Sequence, residues 1–153
     1  MTPEERLAQR GITLPEPPGA VAAYVPWIRT GHLLITAGQL PMRDGRVAYC
    51  GKLGVDLSEE EGYQAARLAA INALAQLKAA AGELSQIRQI VRVEGYVQSG
   101  PGFPRQPQVV NGASELLNEL FGDRGRHTRL ALGVNELPLG AAIELAVWAE
   151  ISE

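Results

Sequence analysis

Arg129 and Glu144 are the two residues whose types and neighbours are best suited to chemistry in this sequence. The runs 127–134 and 141–151 alternate in polarity as strands do, with successive side chains on opposite faces. This alternation predicts that Arg129 shares a non-core face with Ala131 and Gly133, and that Glu144 lies on that same face of the sheet beside Ala146. The core-facing positions predicted for the two strands are Thr128, Leu130, Leu132, Val134, Ile143, Leu145, Val147 and Ile151.

This pair could hydrolyse a bond in a small organic acid. A guanidinium in a partly dry pocket grips a carboxylate through two parallel hydrogen bonds. A nearby carboxylate side chain can orient or deprotonate a water molecule. The same two residues are also compatible with a salt bridge on a sheet face, which would contribute little to stability. The pattern by itself leaves both interpretations open.

Other residue types that often carry catalysis are sparse. Cys50 is the only cysteine, and no His or Lys stands at a spacing typical of an activated thiol. His32 and His127 are predicted to be surface or capping residues rather than general bases. One cysteine and two distant histidines predict no metal site. No glycine-rich loop precedes a helix as a phosphate site would require. No cofactor is expected.

Composition limits the class of protein. The 153 residues are 46% hydrophobic and 20% charged, as expected for one globular domain over 1–153, with an N-terminal helix and connector at 1–20 and a core at 21–151. Seventeen acidic against fourteen basic residues, without a basic run, argue against nucleic-acid binding. No apolar run reaches the roughly 18–20 residues of a membrane span. The polar start and single cysteine predict a cytoplasmic protein.

Local signals predict an α+β chain with the order β-β-α-β-α-β-β after a short N-terminal helix. Capping boxes at Thr2/Glu5 and Ser58/Glu61 open the first helix and a long one, which Gly82 ends. A further apolar-periodic helix ends at Gly122. Turns are expected at 30–31 and at 44–45. The strands are predicted at 21–29, 33–38, 87–98, 127–134 and 141–151.

The economical arrangement of these elements is a single sheet with both main helices on one face. The other face would then be left uncovered. On the strand 87–98, alternation predicts that Ile90, Arg92, Glu94 and Tyr96 point to this uncovered face. A solvated or subunit-facing role is expected for them rather than chemistry.

Three stretches resemble the RidA/YjgF family of reactive-intermediate deaminases, also known as the endoribonuclease L-PSP family. The first is Ala23-Tyr24-Val25 followed by LITAGQLP at 34–41, and the second is the Ala-rich helix from Ser58 with the strand after it. The third is HTRLALGV at 127–134 with LPLGAAIE at 137–144, similar to the family's A-R-S-x-V-x-V-x-x-L-P-x-G-A-x-V-E. The N-terminal helix and the longer stretch before Arg129 are typical of a longer subgroup.

The resemblance implies a chorismate-mutase-like fold with a mixed sheet, assembled as a homotrimer around a central barrel with three clefts between subunits. Carried over by position, Arg129 would hold the substrate carboxylate and Glu144 would position the attacking water. Tyr24 and Gly38 would line the cleft, and Asn111 would meet it from a helix. The implied reaction is metal-independent hydrolysis of 2-imino or enamine acids to 2-keto acids and ammonia.

Two other functions stay open at this stage. The chain could be a non-catalytic trimer that uses Arg129 to hold a small carboxylate as a sensor. The family's older name suggests an endoribonuclease, but the acidic balance and the lack of a basic, aromatic-lined groove argue against RNA as a substrate.

Overall fold

The computed structural model of the protein describes residues 1–19 and 22–152. Within these residues the helices are α1 (Pro3–Gln9), α2 (Glu59–Ala81) and α3 (Gln106–Phe121). The strands are β1 (Trp27–Thr30), β2 (Leu33–Thr36), β3 (Met42–Arg43), β4 (Arg46–Val47), β5 (Ile87–Gln98), β6 (Thr128–Val134) and β7 (Ile143–Ile151). Short 3-10 turns occupy Leu84–Gln86, Gly122–Gly125 and Pro138–Gly140.

Five strands form the main sheet in the order β1-β2-β7-β5-β6. The β5–β6 pair is parallel and the other pairs are antiparallel, so the sheet is mixed. α2 and α3 pack together on one face, where the buried core lies. The predicted α+β fold, with one mixed sheet and its main helices on one side, is confirmed.

The helices begin and end where the sequence predicts. Ser58 accepts a hydrogen bond from the Glu61 amide while the Glu61 side chain accepts from the Ser58 amide, which satisfies two donors at the start of α2. Gly82 ends α2 at φ 87°, a conformation that favours glycine. α2 and α3 approach closely at Gly112, where an added Cβ would overlap the Tyr63 carbonyl oxygen.

The N-terminal helix is tied to the rest of the chain. Its capping box between Thr2 and Glu5 is present, as predicted. The Glu4 side chain accepts hydrogen bonds from the amides of the 3-10 turn at Leu84–Gln86. Leu7 is buried, and Arg6 donates to backbone carbonyls at the end of α3. α1 therefore packs against α3 rather than extending away from the fold.

The first strand is shorter than predicted. It begins at Trp27, and residues 22–24 form bends; Val21 and Ala20 lie outside the described residues. Pro26 explains the late start, because proline has no N–H to donate to a strand ladder. The turn predicted at Asp44–Gly45 is present, with φ values of 53° and 76°, and it closes the small β3–β4 hairpin.

Strand β5 spans the predicted residues, but the face predicted for Ile90 is wrong. Ile87, Ile90 and Val93 are all buried, at a spacing of three rather than two. The register against β7 shifts between Ile87 and Gln89 and again between Ile90 and Arg92. Because each bulge turns the following side chain to the other face, Ile90 points into the core and not to the uncovered face with Arg92.

Candidate functional site

The face assignment predicted for β6 is reversed. Arg129 pairs in register with the buried Val93 of β5, so both side chains point toward the helices. Leu132, predicted to be core, pairs with Tyr96 on the uncovered face and is 49% exposed. β6 is an edge strand, so its apolar side chains do not have to face the helices. The face of β6 that carries Arg129 instead contacts polar side chains of α3.

Arg129 is held by α3. Its Nη1 donates to Asn111 Oδ1 at 2.7 Å and to Ser114 Oγ at 3.2 Å. Asn111 and Ser114 stand three residues apart and therefore share one face of the helix. A cavity of about 290 Å³ opens beside this cluster. Its lining consists of Asn111, Ser114, Asn118, Arg126, His127 and Arg129.

The charge of Arg129 meets no counter-ion among the described residues of the cavity lining. Of the described residues that line the cavity, none is Asp or Glu. Burial lowers the pKa of Arg129, since a half-buried cation has lost part of its hydration. Its Nε and Nη2 have no hydrogen-bond partner among residues 1–19 and 22–152. That free edge has the fork geometry that binds a carboxylate through two parallel hydrogen bonds.

Glu144 occupies the other face of the sheet. It pairs in register with Tyr96, and its half-buried carboxylate lies against the backbone of Gly38. An added Cβ at Gly38 would overlap Glu144 Oε2, so only glycine allows this approach. Burial raises the pKa of Glu144 above its ordinary value of 4.5. A carboxylate with a raised pKa is a stronger base than an ordinary exposed glutamate.

The structure therefore brings the predicted site residues together in two groups. Asn111 lies with Arg129 on the helix side, and Gly38 lies with Glu144 on the uncovered side. β5 lies between β6, which carries Arg129, and β7, which carries Glu144. The expectation that Arg129 and Glu144 share a face is wrong. Tyr24 is 53% exposed in the bend before β1.

Sequence reasoning missed Ser114 and His127. His127 Nε2 lies 2.9 Å from Ser114 Oγ, which also contacts Arg129. Two signals pointed to them. Ser114 follows Asn111 by one helical turn, which places the two on one face of α3. His127 precedes Arg129 by two residues, just before β6 begins, and a spacing of two is that of side chains on one side of an extended chain. Of the two roles expected for His127, surface or capping, the contacts agree with capping: Nδ1 lies 2.6 Å from the carbonyl oxygen of Gly125, the last residue of a 3-10 turn, and the ring is partly buried in the cavity wall.

A larger cavity, of about 570 Å³, lies between the connector after α1, the β3–β4 hairpin and α2. Its floor is mostly apolar and includes Ile12, Leu68 and Ile71. Neither Arg129 nor Glu144 lines it. We assign the candidate site to the smaller cavity, because the smaller cavity holds the uncompensated cation.

Membrane-spanning helices and clusters of metal-binding side chains are both absent from the described part of the chain. No helix there is long and apolar enough to cross a membrane. No group of three or more His, Cys, Asp and Glu side chains lies together as metal ligands would among residues 1–19 and 22–152.

Comparison with known proteins gives consistent matches over nearly the whole chain. The family model described as "YjgF/chorismate mutase-like, putative endoribonuclease" matches residues 4–151. Protein TCP17 of Trypanosoma cruzi is 39% identical over 147 residues, covering 95% of this chain and 92% of that protein.

Two crystal structures are closely similar. One, from Shewanella oneidensis and described as a "putative endoribonuclease", is 43% identical with a TM-score of 0.96, and the match covers 99% of this chain and 100% of the other. Atu1372 from Agrobacterium tumefaciens, described as of unknown function, is 43% identical with a TM-score of 0.92, and the match covers 98% and 92% of the two chains. The chain belongs to the YjgF/chorismate-mutase-like family.

Proposed function

We propose that this protein hydrolyses small 2-imino acids and their enamine tautomers to 2-keto acids and ammonia. Water adds across the C=N bond, its oxygen to carbon and one proton to nitrogen. The C–N bond of the resulting amino alcohol then breaks, the hydroxyl proton also passes to nitrogen, and the products are the 2-keto acid and ammonia. The observation that carries the proposal is the free Nε–Nη2 edge of Arg129 in a cavity whose described lining has no acidic residue. This edge would bind the carboxylate that every such substrate carries.

Glu144 would position and deprotonate the attacking water. Its raised pKa makes it a better base than an ordinary exposed glutamate, and Gly38 leaves room beside it. The imine carbon is already electrophilic. The site therefore needs only to hold the acid and direct the water, and the proposal includes no metal or cofactor.

Because Arg129 and Glu144 lie on opposite faces of one sheet, we place the reaction in a cleft between two copies of the chain. Arg129 and Asn111 of one copy would face Glu144 and Gly38 of the next. The uncovered sheet face supports such packing, since Ile28 is 54% and Leu132 49% exposed there. A cyclic homotrimer, with these faces turned into a central barrel, would create three such clefts.

A coupled assay of imine lifetime tests the proposal. An amino-acid oxidase generates a small 2-imino acid in place, and semicarbazide competes to trap it. The wild-type protein should shorten the lifetime of the imine, and Arg129→Ala should not. Thr128→Ala is the matched control, because Thr128 is the chain neighbour of Arg129 but bonds the Val91 carbonyl instead. Equal rates for the wild type and Arg129→Ala would refute the role of Arg129.

A non-catalytic carboxylate sensor is the second candidate. The observation that favours it is that Asn111 and Ser114 hold Arg129 within one chain, so that a carboxylate could bind the Nε–Nη2 edge without Glu144. Pyruvate would then raise the melting temperature, because it binds only the folded state, while no imine is consumed. We do not propose RNA as a substrate, since the net charge is −3. The single cysteine supports a cytoplasmic location.

A further inference from the structure

A chain of hydrogen bonds runs from Arg129 to the backbone behind the cavity. Arg129 Nη1 donates to Asn111 Oδ1 and to Ser114 Oγ. Ser114 Oγ lies 2.9 Å from His127 Nε2, and His127 Nδ1 lies 2.6 Å from the carbonyl oxygen of Gly125. Ser114 is only 8% exposed, so its hydroxyl has little access to water and bonds to Arg129 and His127 instead.

The chemistry of the groups fixes the direction of each proton. The Gly125 carbonyl can only accept, so Nδ1 of His127 must carry the proton. Nε2 of the neutral ring is then an acceptor, and the Ser114 hydroxyl must donate to it. The same hydroxyl oxygen accepts from Arg129. All donors thus point the same way, an arrangement in which each bond strengthens the next.

We propose that Ser114 and neutral His127 are positioning residues that hold Nη1 of Arg129 against α3, so that the Nε–Nη2 edge faces the cavity and receives a carboxylate. The identity of that carboxylate rests on the proposed function, but the relay itself does not. Without the relay, the guanidinium would keep only its bond to Asn111 and would sample more orientations. Its carboxylate contact would then be weaker.

The charges around His127 favour its neutral form. Burial lowers the pKa of His127, and the charge of Arg129 lowers it further, against the bond to the Gly125 carbonyl, which raises it. Arg126 is the other charged residue that lines the cavity. Of the charged groups on α3 and the turn after it, Glu115 accepts from Tyr63, Glu119 pairs with Arg10, and Arg124 donates to the Ile87 carbonyl. Asp123, on the same turn, is exposed.

Nitrogen-15 NMR of the histidine rings tests the proton assignment directly. The chain has two histidines, so His32 serves as an internal control in the same spectrum. We expect His127 to be the Nδ1–H tautomer at neutral pH. In Ser114→Ala the pKa of His127 should rise, because the neutral ring loses its hydrogen-bond donor, while the ring signals of His32 stay in place. An Nε2–H tautomer, or an unchanged pKa of His127 in Ser114→Ala, would overturn the relay.

Pyruvate binding, measured by calorimetry, tests the consequence for Arg129. Loss of one hydrogen bond to a charged group predicts about tenfold weaker binding in Ser114→Ala. Thr128→Ala should bind as the wild type does. Pyruvate should also raise the pKa of His127 in the wild type, since its carboxylate compensates the charge of Arg129. Wild-type affinity in Ser114→Ala would contradict the positioning role.

The two proposals can fail separately. If the wild type binds pyruvate and has the Nδ1–H tautomer but consumes no imine, the deaminase is wrong and the relay stands. If imine is consumed at Arg129 but Ser114→Ala changes neither the His127 titration nor the pyruvate affinity, the relay is wrong and the deaminase stands.

Discussion

The two faces of the five-stranded sheet differ in what covers them and in which half of the candidate site they carry. The helix side is closed by α2 and α3, and at its edge α3 holds Arg129 through Asn111 and Ser114. The other side leaves Leu132 partly exposed and carries Glu144 beside Gly38. The arginine proposed to bind the substrate carboxylate and the glutamate proposed to activate water therefore lie on opposite faces of the sheet within one chain. The proposed reaction would therefore require at least two copies of the chain to assemble.

The largest expected effect comes from mixing two inactive variants, which tests whether Arg129 of one copy of the chain acts together with Glu144 of another. Arg129→Ala and Glu144→Gln should each lose about 100-fold or more of the imine hydrolysis, since each removes one of the two groups that act on the substrate. In trimers refolded from an equal mixture, about a quarter of the clefts would combine an intact Arg129 with an intact Glu144.

Activity near a quarter of the wild-type value would support clefts between copies of the chain. Each variant taken alone through the same refolding is the control. A mixture as inactive as its components would mean that both groups act from within one chain.

Substitution of two glycines, one on the helix side of the sheet and one on its uncovered side, should affect stability and activity differently. In Gly112→Ala the added methyl would overlap the backbone carbonyl of Tyr63, which has little room to move. We expect a loss of about 1–3 kcal/mol in the free energy of unfolding, measured with urea.

In Gly38→Ala the methyl would instead meet the flexible end of Glu144, which can swing away. Stability should change by less than about 0.5 kcal/mol, the range of a mild surface substitution. Imine hydrolysis should fall at least about tenfold, because the carboxylate is displaced from its water. Full activity in Gly38→Ala would argue against a role for Glu144.

Leu132→Asp tests whether the uncovered face is an interface. Leu132 is partly exposed within one chain, so a charge there should leave the secondary structure and the fold of the single chain intact. Buried between copies, the same charge would oppose assembly. We expect sedimentation to show smaller species than for the wild type, with Thr128→Ala as control. Unchanged sedimentation would exclude this face from the interface.

The smallest expected effect concerns pH. Burial raises the folded-state pKa of Glu144 above 4.5, so folding favours the protonated carboxyl. Its contribution to stability is fully present below the unfolded pKa and is lost as pH rises through the folded pKa. Glu144→Gln should therefore flatten this part of the stability curve. The acid limb of the rate profile should lie above the ordinary glutamate range in the wild type. A limb at the ordinary glutamate pKa would contradict a buried base.

Much of the fold followed from local signals. The capping boxes at Ser58 and Thr2 and the turn at Asp44–Gly45 depend on neighbouring residues alone, and all three are present. The predictions failed where the outcome depends on distant parts of the chain. Ile90 is buried because β5 bulges against β7, and bulges leave no mark in a polarity pattern.

The sequence alone predicted the helices, the five strands of the main sheet and the family, although β1 begins later than expected. It also singled out Arg129 and Glu144 as residues whose types could bind an acid and activate water. The tertiary structure decided which way those residues point. Because Leu130 and Leu132 are apolar, their face of β6 was predicted to be core. However, β6 is an edge strand, and its other face contacts polar side chains of α3. A period of two separates the faces of a strand but does not say which face is covered, because that depends on where the helices pack.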